Sequence, residues 1–386
     1  MKDLSIYFEN DSVDGSYKPS QLGARIVQVD ASFYQDPPAD GIALVFVPVY
    51  DQLYHQPSSK DWIADFRTSF FGLYSGDWNA TIYDLGIINP GQTANDTYAA
   101  LKEVVAELVK NNIFPLVIGG SQDLTFPIYQ AYEKLEQTVN LLTIDPSFDL
   151  GDPDDEMTSD GWLNKIIAHQ PNFLFNFSLV GYQSYLTDPK EIKLLDDLYF
   201  DAFRVGDFYA NDRMIEPQVR NADILSFDMT AIRSSDYKGN QLHLPHGFYG
   251  EDACRIMRYA GMSDKLSVVG LFNFLPKEIG YDSDVNLISQ MVWYFVEGFN
   301  LRKQDYPIGS KSAYLKYRVN IDDFKDEIIF YKSNKSGRWW LEVPYPKIEG
   351  VKLQRHLLVP CDYEDYQNAL KNELPDLWLR TYKKLV

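Results

Sequence analysis

Three aspartates stand where short apolar segments of this chain end, and their side chains are the ones best suited to bind a metal ion. Asp145 and Asp149 close the segment LLTIDPSFD, and Asp228 closes the segment ILSFD. Carboxylate oxygens are good ligands for divalent ions, and clustered carboxylates need a cation, a proton or hydrogen-bond donors to be stable. Aspartate is also common in turns, so capping of turns is the alternative role for the same residues.

Other chemically interesting residues have simpler interpretations. His243 and His246 lie three residues apart in QLHLPHG, a pattern more typical of an ordinary surface loop than of a metal site. Cys254 lies in a predicted helix without a nearby histidine, so we expect a buried side chain rather than a nucleophile. The pair Trp339 and Trp340 offers a ligand platform, but packing onto the core is the commoner outcome.

The elements that must position these residues alternate between strands and helices. Apolar runs predict strands at 41–49, 81–88, 114–119, 139–145, 174–182, 222–228 and 266–272. Helical patterns predict helices at 96–110, with Asp96 as N-cap, at 250–259, closed by Ala260 and Gly261, and at 284–300. This alternation predicts an α/β fold with a parallel sheet between helices, and such sheets bind ligands at the carboxyl ends of their strands.

The sequence pattern changes near Tyr306. The segment EIIFYKSNKSGRWWLEVPYP predicts a β-hairpin that turns through residues 332–337, and residues 364–385 predict a helix interrupted by Pro375. We therefore predict a main α/β domain over residues 1–304, in which residues 1–40 are irregular. A C-terminal α+β extension follows over residues 305–386.

Composition narrows the cellular setting and the partners. The formal net charge is -19, so nucleic acid and anionic membranes should repel the chain. No apolar run approaches the roughly 18 residues that span a bilayer. Two cysteines are too few for a disulfide framework. We expect a cytoplasmic protein without nucleic-acid or membrane partners.

The strand ends resemble those of the ureohydrolase family, which contains arginase, agmatinase and formiminoglutamase. That family carries GGDH, DAHxD and SFDxDxxDP where this chain has GGSQD, DPSFD and SFDMTAIRS. The segments ADFRTSFFGLYSGDWNATIYDLG, GFYGEDA and VVGLFNFLP resemble further family segments, so the resemblance covers about residues 40–300. It implies an arginase-like three-layer αβα core and a two-manganese hydrolase site.

The departures from the family pattern fall on the metal ligands. Six family side chains hold two Mn2+ ions about a bridging hydroxide, and the corresponding positions here are Gln122, Asp145, Ser147, Asp149, Asp228 and Thr230. Ser147 and Thr230 offer only neutral hydroxyls, which are poor ligands for a divalent ion. The other four offer oxygen atoms for one residual ion. Asn273 is the pocket residue nearest to the missing family glutamate, and the nearest histidine after the second motif is His169.

Two functions remain open from the sequence. Because two-metal hydrolysis needs both ions, the lost ligands favour a non-catalytic binding, scaffold or sensor protein. The alternative is a hydrolase of linear amidines, such as formiminoglutamate, with an altered site that holds at most one ion. The expected cofactor is none, or one Mn2+, Mg2+ or Ca2+ ion. We also expect self-association, as in the family, and a surface for a protein partner on the C-terminal extension.

Overall fold

A large, mostly parallel sheet forms the centre of the computed structural model, which describes residues 1–9, 15–48, 61–152, 157–275, 280–307, 311–322, 324–344 and 351–385. Its strands are β1 (Phe8–Glu9), β2 (Val27–Gln28), β3 (Gly41–Phe46), β4 (Ile82–Ile88), β5 (Ile113–Ile118), β6 (Val139–Ile144), β7 (Leu174–Tyr182), β8 (Asp201–Arg204), β9 (Ile224–Asp228) and β10 (Val268–Phe272). The strand order is β1-β4-β3-β5-β10-β9-β6-β7-β8, with β2 beside β4. Only β1 runs antiparallel to its neighbour within this described sheet.

Helices cover both faces of the sheet. They are α1 (Ala31–Gln35), α2 (Asp61–Gly72), α3 (Ala94–Lys110), α4 (Thr125–Lys134), α5 (Trp162–Ala168), α6 (Pro189–Asp197), α7 (Val205–Ala210), α8 (Ile215–Asn221), α9 (Gly250–Met262) and α10 (Tyr281–Asn300). Helices α2, α9 and α10 bury one apolar cluster against the sheet, and α3, α4 and α5 bury a second one. This arrangement confirms the predicted three-layer αβα fold.

Two predicted helix ends are wrong. The N-cap of α3 is Thr93, whose hydroxyl accepts a hydrogen bond from the backbone N–H of Asp96. The Asp96 carboxylate accepts the backbone N–H of Thr93 at 2.9 Å in return, so Asp96 is the second half of a capping box. Helix α9 continues through Gly261 and ends at Met262. Gly261 serves the packing of α9 against α10 rather than the helix end, because a Cβ there would lie 2.1 Å from the Phe295 carbonyl oxygen.

Short edge elements were harder to predict than the central strands. The predicted irregular segment 1–40 contains α1 and the two-residue strands β1 and β2. Strand β8, with the sequence DAFR, was not predicted, because its half-exposed side chains lack the apolar run of a buried strand. Val49, which closes the first predicted strand, lies outside the described residues.

The C-terminal segment forms a second sheet rather than a lone hairpin. Its antiparallel strands are β11 (Tyr314–Val319), β12 (Ile328–Ser333), β13 (Trp339–Glu342) and β14 (Leu358–Cys361). The predicted hairpin is β12–β13. The predicted final helix is divided into α11 (Tyr363–Leu370) and α12 (Asp376–Leu385), with Pro375 between them. The domain boundary between residues 304 and 305 stays a prediction.

This C-terminal extension packs on the edge of the parallel sheet where the strands begin. Arg355 donates a 2.7 Å hydrogen bond to the carbonyl oxygen of Thr138, immediately before β6. The ring of His356 stacks on Phe175, the second residue of β7, with centroids 3.9 Å apart. The three aspartates lie at the carboxyl ends of the strands. The extension therefore covers the opposite edge of the sheet.

Candidate metal centre

Neighbouring strands bring the predicted site residues to one edge of the sheet. In β6 and β9, Ile144 is paired with Phe227, so Asp145 and Asp228 follow at adjacent positions. In β10, Phe272 is paired with Asp228, which places Asn273 beside them. Adjacent strands lie about 4.8 Å apart, and the structure thus brings both carboxyl groups and the Asn273 amide into one cluster.

The loop after β5 carries Gln122 into the same cluster. Gly119 and Gly120 have φ angles of 92° and 78°, and a Cβ on Gly119 would lie 2.6 Å from the Val47 carbonyl oxygen. These positions therefore need glycine for the turn itself. The Gln122 side chain is fully buried, and its Nε2 donates to the Ser226 hydroxyl at 3.3 Å. Its Oε1 is buried without a hydrogen-bond partner among the described residues.

Ser147 connects two of the aspartates. Its hydroxyl donates to Asp149 Oδ1 at 2.9 Å and lies 3.3 Å from Asp145 Oδ1, which also accepts the Ser147 backbone N–H at 2.8 Å. The indole N–H of Trp162 donates to the other oxygen of Asp149 at 3.1 Å. Both oxygens of Asp149 thus accept hydrogen bonds from the protein. Asp145 Oδ2 is buried without such a partner in the described part of the chain.

Asp228 is held by donors from two loops. The backbone N–H of Thr230 donates to Asp228 Oδ1 at 2.7 Å, and Asn273 Nδ2 donates to Oδ2 at 3.0 Å. Asn273 has a φ of 56°, and its backbone N–H donates to the Gly120 carbonyl oxygen at 2.8 Å. The buried Thr230 hydroxyl has no hydrogen-bond partner among the described residues. The Asp228 carboxylate is therefore already hydrogen-bonded through both oxygens.

Burial and mutual repulsion make these carboxylates costly to ionise. Burial raises the pKa of Asp145 well above its usual value, and the charges of Asp149 and Asp228 raise it further. Burial, and then the Asp228 charge, raise the pKa of Asp149. Burial is also the main cause of the raised pKa of Asp228. A proton or a cation in the cluster would relieve this cost.

The donor set does not fit a two-ion centre. Within the described ranges, no group of three histidine, cysteine, aspartate or glutamate side chains is arranged to hold a metal ion, and this includes Asp145, Asp149 and Asp228. At two of the family's ligand positions, Ser147 and Thr230 present neutral hydroxyls. The Ser147 hydroxyl donates a hydrogen bond to the Asp149 carboxylate. The buried unpartnered oxygens of Gln122 and Asp145 are acceptors suited to one hard cation. Binding of a single ion at Gln122, Asp145, Asp149 and Asp228 stays a prediction.

Comparison with protein families decides the classification. The model of the arginase family matches residues 67–277, more than half of the chain. The chain belongs to the arginase family. This confirms the family resemblance that the strand-end motifs predicted.

Solved structures of arginase-family proteins share the fold of this chain. A formiminoglutamase from Trypanosoma cruzi, solved with Mn2+, is 19% identical with a TM-score of 0.62, and the match covers 70% of this chain and 98% of that one. The formimidoylglutamase of Bacillus subtilis is 14% identical with a TM-score of 0.65, covering 76% and 96%. The agmatine ureohydrolase of Thermoplasma volcanium is 15% identical with a TM-score of 0.56, covering 73% and 94%. Comparison with curated protein sequences gives no match.

The other candidate side chains of this arginase-family chain have different surroundings. The Nε2 atom of His169 lies 3.3 Å from Oε2 of Glu133. The imidazole ring packs edge-on against Phe126 and Tyr129. His243 and His246 are exposed. Cys254 is buried, and burial raises the pKa of its thiol to about 12, as expected for a packed side chain.

The tryptophan pair packs rather than forming an open platform. The ring of Trp340 packs against the guanidinium of Arg220 on the main domain. The Arg220 Cζ atom lies 4.6 Å from the ring centroid. Trp339 stacks on Tyr366 within the extension, with centroids 5.0 Å apart.

No described helix is long and apolar enough to cross a bilayer.

Sequence reasoning missed two residues of the cluster. Ser226, which accepts from Gln122 and lies 2.8 Å from the hydroxyl of Thr125, is two positions before Asp228 in β9. Strand periodicity places Ser226 and Asp228 on the same face, so this signal was present in the sequence. Trp162 starts α5, and no local pattern connects it with Asp149 thirteen residues earlier.

Proposed function

We propose that this chain is a non-catalytic member of the arginase family with a binding, scaffold or sensor role. The observation that carries the proposal is the Ser147 hydroxyl, which donates to Asp149 at 2.9 Å. In the family pattern this position holds an imidazole that binds a metal ion. A hydroxyl that donates a hydrogen bond to a neighbouring carboxylate takes the place of a cation there, rather than binding a cation as a ligand.

The hydrogen bonds around the other aspartates support the same conclusion. Both oxygens of Asp149 and both oxygens of Asp228 accept bonds from protein donors. Two-metal hydrolysis depends on carboxylates that bridge or bind two ions, which together generate the attacking hydroxide. Donors such as Trp162 and Asn273 compete for those lone pairs, and each lost bond leaves a buried donor unsatisfied.

The alternative is hydrolysis of a linear amidine with a single bound ion. It is supported by the unpartnered oxygens of Gln122 and Asp145, and by the fold shared with formiminoglutamases. A divalent ion at those oxygens would polarise a substrate or a water molecule. The chain's own contribution would be to bind the ion through Gln122 and Asp145 and to hold Asp228 in place through Asn273.

Turnover by the full-length protein distinguishes the two functions. The protein is incubated with Mn2+ and with formiminoglutamate, arginine or agmatine, and release of formamide or urea is measured. An active arginase-family hydrolase serves as the positive control. We expect no release above that of the Mn2+ buffer, whereas metal-dependent turnover that disappears in Asp145→Asn would show that the chain is an enzyme.

A restoring variant tests whether the ligand losses alone explain the missing activity. In Gln122→His/Ser147→His/Thr230→Asp, the lost imidazole and carboxylate ligands are replaced. We expect tighter Mn2+ binding without turnover, because the family's substrate-binding glutamate is missing and Asn273 is the residue nearest to its position. Self-association, a protein partner on the extension and a cytoplasmic location stay predictions, and light scattering of the purified protein tests the first of them.

A further inference from the structure

A cavity lies at the opposite edge of the sheet from the aspartate cluster. It has a volume of about 320 Å³ and opens where β5, β6 and β10 begin, among residues 112–114, Gln137 and residues 264–267. Strand β5 spans roughly 20 Å at 3.3 Å per residue, so the cavity is separate from the candidate metal centre. Its volume lies at the lower end of the range for small-molecule sites.

Three cations line this cavity, although the whole chain carries a net charge of -19. They are Lys265, Arg302 and Arg355. Asp223 balances two of them, because it binds the Arg355 guanidinium and lies 3.6 Å from the Lys265 ammonium. Asp264, which also lines the cavity, is the carboxylate whose charge acts on Arg302. Among these five side chains, the cations exceed the carboxylates by one.

Arg302 is the cation with the weakest internal pairing. Its guanidinium donates to the backbone oxygens of Gly261 at 2.9 Å and Leu266 at 3.3 Å, and it forms no ion pair within 4.0 Å in the described part of the chain. The Phe299 and Phe114 rings lie 4.1 Å and 5.3 Å from it. These rings hold the planar guanidinium in place and restrict water around it, which strengthens binding of an anion.

The remaining lining suits a ligand with an apolar body. Val109, Ile113 and Leu266 provide aliphatic walls beside the two phenylalanine rings. The side-chain amides of Asn112 and Gln137 make no hydrogen bond with described residues, so both are available to a ligand. A guanidinium fork fits a carboxylate through two parallel hydrogen bonds, and one excess positive charge matches one carboxylate rather than a doubly charged phosphate.

We infer that this cavity binds a small organic carboxylate, with the carboxylate on Arg302 and the apolar body against Phe114 and Phe299. Arg355 belongs to the extension, whereas Arg302 and Lys265 belong to the main domain. The cavity therefore lies at the junction between the two parts of the chain. This inference does not depend on whether the aspartate cluster is catalytic.

Calorimetric titration of the full-length protein with simple probes tests the inference. The probes are benzoate and 4-phenylbutyrate, with 4-phenylbutanol, inorganic phosphate and sodium chloride compared at matched ionic strength. We expect one 4-phenylbutyrate per chain with a Kd of roughly millimolar or tighter, given the size of the probe. Absence of carboxylate binding, or stronger binding of phosphate or of the uncharged alcohol, overturns the inference.

Variants locate the site. Arg302→Met removes the guanidinium but keeps an apolar side chain, and we expect it to weaken 4-phenylbutyrate binding at least about tenfold. Arg258→Met is the matched control, because Arg258 pairs with Glu297 at 2.6 Å and does not line the cavity. Equal binding by the wild-type protein and Arg302→Met contradicts the assignment.

A second variant covers the case in which Arg302→Met does not fold. Asn112→Asp adds a negative charge to the cavity wall without removing an internal side-chain hydrogen bond, and aspartate tolerates the φ of 59° at this position. We expect it to weaken carboxylate binding severalfold by repulsion. Asn286→Asp, at an exposed position of α10, makes the same change in net charge and should leave binding unchanged. Unchanged affinity in Asn112→Asp overturns the inference.

Discussion

Arg220 holds the C-terminal extension on the main domain, and its replacement should release the extension. The guanidinium donates to the backbone oxygens of Trp339 at 3.0 Å and Cys361 at 3.1 Å, and it stacks on Trp340. Hydrogen bonds from a charged donor contribute about 1.5–3 kcal/mol each, and a desolvated cation–π contact about 1–2 kcal/mol. In Arg220→Met, the docking of the extension should therefore weaken by about 4 kcal/mol or more.

Urea unfolding followed by tryptophan fluorescence measures this effect, because three of the seven tryptophans, Trp339, Trp340 and Trp378, lie in the extension. We expect an early transition in Arg220→Met, together with rapid proteolysis of the extension while the main domain stays intact. Arg318→Met is the control: Arg318 pairs with Glu327 at 3.1 Å in an exposed ion pair, worth less than about 1 kcal/mol. If both variants unfold like the wild type, the docking role of Arg220 is wrong.

Three further predictions concern stability. Arg67→Met should lower the free energy of unfolding by about 3–5 kcal/mol in urea titrations, because it leaves the fully buried Asp84 carboxylate without the two guanidinium bonds of 2.8 and 3.0 Å; a loss below about 1 kcal/mol would contradict this. Burial raises the pKa of Asp365 to about 6 from 3.8, so its contribution to stability is present below about pH 4 and lost as pH rises through about 6. That loss of stability is up to about 3 kcal/mol, and it is smaller where water reaches this half-buried carboxyl group. Thermal melts of Asp365→Asn should therefore show a flatter dependence of stability on pH than the wild type. A pH profile identical to that of the wild type refutes the assignment. Deletion of residues 306–386 should expose Phe175 and cause aggregation in light scattering, and a truncated protein with unchanged mass and thermal midpoint would show that the extension is a separate module.

The central strands and the aspartate cluster were predictable because each rests on a local signal. Continuous apolar runs mark strands that are buried on both faces, and polar residues directly after them mark the carboxyl ends where ligands bind. Asp145 and Asp228 follow this rule, since their strands are neighbours in the sheet. The correct order of weak motifs then indicated the family.

Features that depend on distant contacts were not predictable. Trp162 reaches Asp149 only because α5 packs beside the loop after β6. The side of the sheet that the extension covers is set by pairs such as Arg355 with Thr138, which are 217 residues apart. Thr93 was missed as N-cap because Asp96 is also a good capping residue, and only the reciprocal bonds of the capping box distinguish their roles.

The number of Mn2+ ions bound per chain tests the central claim most directly. Equilibrium dialysis of the full-length protein against Mn2+, followed by metal analysis, gives this number without any assumption about substrate. We predict at most one ion, lost in Asp145→Asn, because Ser147 and Thr230 cannot complete a second set of ligands. Two tightly bound ions per chain would contradict the account and would indicate a two-metal hydrolase.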